Sequence, residues 1–370
     1  MKFAFSEDQE ELKRGARRFL ATASSSERVR AAMATERGWD EATWARIAGE
    51  LGWTALAVPE AYGGMGFGFV EVAAVMEEAG RALACMPLLA TVGLGVSAIV
   101  SGGSEATKQA LLPRIADGSA TATLAFSGAV TAQRDGDRVV LDGEAPHVLD
   151  GHTATIVLVA AKLDGGVAIV VVEGAADGLS RRALTTMDAT RKQAELRFDG
   201  VRGVLLGDPD RGARTLAVAL DHARIALAAE QVGAAERCLE MAIDYAKTRQ
   251  QFDRPIGSFQ AIKHKLADVF VEVESARSAA YHAAWTAAHR PDDLATAAAL
   301  AKAYCSQAFF HAASESIQVH GGIGFTWEHD AHLFFKRARA SEALFGDPAS
   351  MRERIAERLL DQARSLPTPG

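Results

Sequence analysis

The sequence predicts a three-part α+β protein: a helical block, a β block and a second, longer helical block. Three observations carry this. Residues up to about 118 repeat apolar side chains at helical spacing, and the next ninety or so carry short β-branched runs separated by Asp-Gly and Gly-Gly turns. From Gly212 onward Ala, Leu and Glu dominate with few breakers. The expected divisions are 1–118, 119–210 and 211–370. With 370 residues, 49% of them hydrophobic and 24% charged, the chain can bury a large core in more than one layer.

In the first block Ser6 and Gln9 form a capping box ahead of a stripe of Leu12, Ala16, Phe19 and Leu20. Asp40 caps a segment carrying Trp44, Ile47 and Leu51, which Gly52 closes. Beyond a glycine-rich loop at 59–68, helices are expected over 69–83, 88–100 and 105–116. That loop lacks the Lys-Ser/Thr of a phosphate-cradling P-loop and follows no strand. The middle block predicts strands at 121–126, 138–141, 155–161, 167–172 and 193–198. The third opens with an unusually long helix over 216–247, and Pro255, Pro291, Gly321-Gly322 and Pro348 divide the rest into four more. Its closely spaced alanines let helices approach tightly, as in a bundle that also makes subunit contacts.

A formal charge of -7 and a pI near 5.8 argue against a nucleic-acid partner, because a phosphate backbone would be repelled. Cys85, Cys238 and Cys305 are too scattered for a metal or disulfide framework and read as buried thiols in a reducing compartment. His320, His329 and His332 lack neighbouring cysteines or suitably spaced carboxylates, so no metal is expected. No apolar run approaches the ~20 residues that span a bilayer. The cytoplasm is the expected location.

Two stretches carry chemistry. Thr248-Arg249-Gln250-Gln251-Phe252-Asp253-Arg254-Pro255-Ile256 puts a guanidinium and two amides where Pro255 is expected to stop a helix, which suits a pyrophosphate. Gln318-Val319-His320-Gly321-Gly322-Ile323-Gly324-Phe325 puts two glycines after a helical run, so a backbone can approach a flat or phosphorylated ligand. Read singly, one is a solvated helix end and the other a turn.

Together they resemble the carboxy-terminal part of the acyl-CoA dehydrogenase family, with its R-x-x-F-G-[KR]-P-I helix end and Q-x-x-G-G-x-G-F loop. Asp253 stands where the family has glycine. Pro59-Glu60-Ala61-Tyr62-Gly63-Gly64-Met65-Gly66, Asp142-Gly143-Glu144 and Phe259-Gln260-Ala261-Ile262 extend the likeness over nearly the whole chain. The resemblance implies a helical amino-terminal domain, a central β-barrel-like domain and a carboxy-terminal four-helix bundle, assembled as a dimer of dimers. It further implies that Arg249, Gln251, Phe252, Gln260, Gln318, Gly321 and Gly322 grip the ADP half of an FAD whose ring lies mostly in a neighbouring subunit.

The implied reaction is α,β-dehydrogenation of an acyl-CoA thioester, in which a carboxylate removes the α-proton while the β-hydride goes to the flavin. Family members carry that glutamate at one of two places, and here those places hold Phe345 and Ala223. Neither side chain can accept a proton. The family's flavin-facing tryptophan and threonine are replaced by His147 and Leu149, and its Thr-Glu-Pro segment corresponds to Ala125-Phe126-Ser127-Gly128.

The half that holds ADP is thus kept while the half around ring and substrate is altered. The resulting expectation is an FAD-linked acyl-CoA dehydrogenase in which this chain is the non-catalytic subunit of a heteromer, with electron-transfer flavoprotein as acceptor. One alternative is a self-sufficient homotetramer using Asp347, two residues past Phe345, or Glu230, which lies about 10 Å along the helix from Ala223. Helix capping explains Asp347 as well, and pairing or solvation explains Glu230. Another alternative is a silent scaffold that binds CoA esters. Asp221 and Arg224 fall at the family's substrate-contacting positions, although an ion pair across one helical turn explains them equally.

Overall fold

The computed structural model describes residues 5–365, with side chains to residue 360. Helices α1 (Glu7–Ala23), α2 (Ser26–Ala34), α3 (Glu41–Gly49), α4 (Phe69–Arg81), α5 (Ser97–Gly102) and α6 (Glu105–Ala116) come first. Strands follow: β1 (Ala122–Ala125), β2 (Ala129–Asp135), β3 (Arg138–Leu149), β4 (Ile156–Leu163), β5 (Gly166–Glu173), β6 (Leu179–Ala183) and β7 (Gln193–Leu205). Then come α7 (Gly212–Thr248), the two-residue strands β8 (Gln250–Gln251) and β9 (Arg254–Pro255), α8 (Gln260–His289) and α9 (Leu294–His320). Helices α10 (Gly322–Phe325), α11 (Ala331–Ala343) and α12 (Pro348–Ser365) complete the chain.

The described residues sort into two compact units, one drawn from residues 5–22, Ala73–Ala84 and residues 224–365, the other from Ala23–Val72 and Cys85–Ala223. Helices α4 and α7 contribute residues to both.

In the second unit the strands close on themselves. β2 pairs with β3, β3 with β7, β7 with β5, β5 with β4, and β4 returns to β2 through one parallel bridge, while β1 and β6 pair with β4 and β7. Alternate residues point inward: Val157, Val159 and Ala161 from β4, Ala168, Val170 and Val172 from β5, and Ala194, Leu196 and Phe198 from β7. The period of two visible in the sequence is therefore the inside-outside alternation of a small barrel. Strands β2 and β6 were not expected, and the reason is physical. β6 buries none of its five residues, and β2 alternates only over its first four, with Val130 and Ala132 in the core, before three exposed polar residues, so the apolar signal of each is short or missing.

The segment expected to be one helix over 88–100 instead runs as wide π-helical turns over Leu89–Val96 before α5, with all eight residues of those turns buried. Its Gly95 lies so close to β1 that a Cβ there would meet Ala122. Thr91 Oγ1 accepts from Ala122 N at 3.2 Å. Close packing on β1 accompanies the wider turn.

The first unit is a bundle with α9 as its axis. Ala298, Ala299, Ala301, Ala308, Ala312 and Ala313 leave α9 nearly bare, and it is buried on most sides. Helices α4 and α7 cross through a reciprocal notch: a Cβ on Gly80 would strike the Glu230 carbonyl, and one on Gly233 the Glu77 carbonyl. Beside the crossing, buried Glu77 accepts from Lys13 Nζ at 2.9 Å and Tyr281 OH at 2.6 Å, and pairs with Arg277. Glu78 takes both ends of Arg17 at 2.8 Å. These pairings attach α1 to the bundle and leave no buried carboxylate of the pair uncompensated.

Candidate functional site

Helix α7 stops at Thr248, several residues before Pro255, and the chain turns at once into the β8–β9 hairpin. Phe252 and Asp253 form its tip, both left-handed at φ 54° and 61°. The family's glycine position is thus one that requires positive φ, and Asp tolerates that conformation better than most residues. Ile256 N–H donates to the Arg249 carbonyl at 2.8 Å and closes the turn. Gln251 Nε2 donates to its neighbour's carbonyl at 2.8 Å. Phe252 is 85% exposed and presents its ring edge-on to Phe259, over whose face the Arg254 guanidinium sits at 4.1 Å. The Arg249 and Gln260 side chains point to solvent and make no hydrogen bond or ion pair among the described residues.

The glycine loop follows α9. Gly321 has φ 63° and ψ −138°, a combination open essentially to glycine alone. A Cβ at Gly321 or Gly322 would meet only open space, so the bare backbone faces outward. Gln318 is exposed on the last turn of α9. Both stretches belong to the first unit, and the structure brings them together. Ile256, beside the hairpin, and Val319, beside the loop, pack in one cluster with Ala242, Ala246 and Tyr245 of α7.

The two positions expected for the family's catalytic glutamate, 223 and 345, contain no acid. Ala223 is fully buried. Phe345 is 5% exposed, left-handed at φ 61°, and followed by Gly346 at φ 105°. Arg224 Nε donates to the Phe345 carbonyl at 2.9 Å, and Lys302 Nζ donates to the Glu342 carbonyl at 3.0 Å. Two buried cations therefore fasten the turn between α11 and α12. Burial, and then the Arg224 charge, lower Lys302 to about 8. Lys302 also reaches Ser306 Oγ at 2.9 Å, and Gln231 bonds that hydroxyl at 3.0 Å.

Both candidate bases are engaged. Glu230 and Arg337, 4% and 2% exposed, form an ion pair at 2.6 Å inside the bundle. Asp347 is exposed and accepts the Ser350 N–H at 2.7 Å, capping α12. That backbone bond holds its carboxyl below the usual range, the opposite of what a poised base needs. Sequence reasoning missed Lys302, Gln231, Ser306 and Arg337. The available signal was a lysine and an arginine within alanine-rich helices.

In the second unit, Pro146 and His147 sit in a register shift of β3 against β7, where His147 is left-handed at φ 57°. His147 is exposed, with Nδ1 3.1 Å from Gln193 Oε1. Ser127 Oγ donates to the Pro146 carbonyl and pins the bulge to the β1–β2 turn. The Leu149 side chain is buried, and its carbonyl accepts from Thr123 Oγ1 at 2.6 Å. Asp221 is buried. The next residue, His222, packs on Phe69 with ring centres 4.6 Å apart, and its Nδ1 is enclosed without a hydrogen bond. Burial pushes it down to about 4, so the ring is neutral. Among the described residues no group of three or more His, Cys, Asp or Glu could hold a metal.

Comparison with known proteins matches residues 6–119 to "Acyl-CoA dehydrogenase, N-terminal domain" and residues 210–360 to "Acyl-CoA dehydrogenase, C-terminal domain". The chain belongs to the acyl-CoA dehydrogenase family. Acyl-CoA dehydrogenase IpdE2 of Mycobacterium tuberculosis is 38% identical over 333 residues, which cover 88% of this chain and 89% of the relative. Among solved structures, the ChsE4–ChsE5 complex from Mycobacterium tuberculosis superposes with a TM-score of 0.91 at 29% identity, over 100% of each chain. A Tcur3481–Tcur3483 steroid ACAD variant does so at 0.89 and 31% identity, over 97% and 99%.

The protein is accordingly an FAD-dependent oxidoreductase acting on acyl-CoA. The hairpin and glycine loop fit such a cofactor: a guanidinium and two amides unpaired among the described residues, with an open glycine backbone, suit a pyrophosphate and a nucleotide. Among the described residues no helix is long and apolar enough to cross a membrane.

Proposed function

We propose that this chain is the non-catalytic subunit of a heteromeric acyl-CoA dehydrogenase. The observation that carries the reading is the state of the base positions. Phe345 and Ala223 offer no proton acceptor, and the two candidate carboxylates are already committed, Glu230 to Arg337 and Asp347 to the α12 cap. When bound, FAD supplies the hydride acceptor for α,β-dehydrogenation. This chain's part is to hold the ADP half, with Arg249 and Gln318 as donors, the Gly321–Gly322 backbone at the pyrophosphate, and Gln251, Phe252 and Gln260 completing the grip. The base and the ring pocket come from the unlike subunit. Asp221 and Arg224 belong to the acyl-CoA side.

The likeness to the ChsE4–ChsE5 complex supports an assembly of two kinds of subunit, and the likeness to a steroid ACAD supports a bulky acyl group. The assembly is a tetramer working in the cytoplasm, with electron-transfer flavoprotein as acceptor. The division at 1–118, 119–210 and 211–370 is part of the same proposal.

The test is to recover the tagged chain from its native cell and measure the native mass, subunit identity and flavin content of what comes with it. The expected result is a yellow complex containing a second, unlike subunit, with acyl-CoA dehydrogenase turnover that neither chain shows alone. An active homotetramer would replace this reading with one in which Asp347 or Glu230 is the base. A complex without flavin would leave a scaffold that binds CoA esters.

A further inference from the structure

The hairpin and the glycine loop are far apart in sequence, and each is anchored to the same residue of α7. The Tyr245 carbonyl accepts the Arg249 N–H at 2.8 Å, which sets the start of the hairpin. The Tyr245 ring lies against the His320 ring, centres 4.6 Å apart and planes 32° from parallel. His320 in turn lies against His329, with centres 4.2 Å apart at 41°. His329 Nδ1 accepts the Ala331 N–H at 3.1 Å at the start of α11. Three rings thus form a column joining the ends of α7 and α9 to the beginning of α11.

His320 is the middle member and is almost fully buried. Its Nδ1 faces the Ser316 carbonyl at 2.6 Å, and since a carbonyl can only accept, Nδ1 carries the hydrogen. The glycine loop curls over the same residue. Gly324 N–H donates to the Gly321 carbonyl at 3.0 Å, and a Cβ at Gly324 would lie 3.0 Å from the His320 Cβ. The loop therefore turns against the backbone end of His320, whose ring lies between His329 and Tyr245, the residue whose carbonyl holds the first residue after α7.

We infer that His320 is a positioning residue: through its stack on Tyr245 it couples the glycine loop to the Arg249 hairpin, so that both halves of the ADP grip are held in one geometry. This rests on the proposed arm for its ligand, although the coupling itself is a property of the chain alone. It assigns His320 no contact with the cofactor. Pre-setting two distant segments lowers the ordering cost that a ligand would otherwise bear.

The experiment compares wild type, His320→Ala and His320→Phe in the full chain. Amide exchange is followed over 250–256 and 321–327, and FAD affinity is measured by flavin fluorescence in the isolated native complex. In His320→Ala, exchange should accelerate at least tenfold in both segments while mid-helix amides of α8 and α9 are unchanged, and FAD affinity should fall about tenfold. His320→Phe keeps a ring between Tyr245 and His329 and should restore both readouts. Faster exchange confined to 321–327, or a phenylalanine variant as loose as the alanine variant, would overturn the inference. A wild-type complex that takes up no FAD would contradict the proposed arm instead, and the exchange comparison would still decide the coupling.

Discussion

Two regions of the same helical bundle handle their polar groups in opposite ways. At the hairpin and glycine loop, Arg249, Gln260 and Gln318 stand in solvent without a partner among the described residues, and the glycines leave the backbone bare. Around Phe345 the polar groups are buried and tied to one another: Arg337 to Glu230, Lys302 to Ser306, and Arg224 to a carbonyl. Unpaired polar groups on a fixed scaffold are what a ligand-binding surface presents, whereas fully paired ones hold a shape. The chain has the first property at the hairpin and glycine loop, the proposed ADP grip, and the second around Phe345.

The comparison breaks first at the buried pair. Replacing Arg337 with Met leaves Glu230 charged inside the bundle and should cost about 3–5 kcal/mol in denaturant unfolding. If Glu230 is instead a working base, Glu230→Gln would abolish turnover of the native complex even where the complex remains assembled and folded.

His222 sharpens the contrast, because it lacks a partner at Nδ1 yet is enclosed. Its ordinary value is 6.5 and burial lowers it to about 4, so the folded state disfavours its protonation. The associated stability is fully present above pH 6.5 and is lost as pH falls through about 4, up to about 3 kcal/mol in all. His222→Phe, a ring suited to packing on Phe69, should flatten that acid limb, and an unchanged slope would move the cause elsewhere.

At the arm the effect should appear in binding alone. Arg249→Ala should reduce flavin affinity of the native complex at least tenfold while shifting stability by under about 0.5 kcal/mol, as for other surface changes. Equal flavin content in variant and wild type would remove Arg249 from the grip. Asp347→Ala should cost about 1 kcal/mol, the usual value of a lost cap, and leave turnover untouched. Asp253→Gly is the smallest change: easing the positive φ at the hairpin tip should stabilise by a few tenths of a kcal/mol, measured in the same unfolding series.

Local physics was legible in the sequence. Ser6 and Gln9 do form the reciprocal cap, with Ser6 N–H donating to Gln9 Oε1 at 2.9 Å and Gln9 N–H to Ser6 Oγ at 3.2 Å. Asp40 caps α3 through the Thr43 N–H at 2.8 Å, and α6 has the expected limits. The strongly alternating strands were visible because one face of each lines the barrel. What escaped notice depends on partners distant in sequence. The strands β2 and β6, with few or no buried residues of their own, are held by the strands that pair with them. The wide turns over Leu89–Val96 accompany packing on β1, and the notch at Gly80 and Gly233 requires two helices to cross. At the site, the sequence alone shows that positions 345 and 223 carry no carboxylate. The pairing of Glu230 with Arg337 could not, because 107 positions separate them.

The most direct test of the central claim is the visible absorption spectrum of the chain expressed alone, taken with a flavin count per chain and an acyl-CoA turnover assay on the same sample. The account predicts a colourless or substoichiometric protein without turnover, which gains both flavin and activity when its unlike subunit is co-expressed. A yellow preparation with one FAD per chain that oxidises acyl-CoA unaided would contradict it.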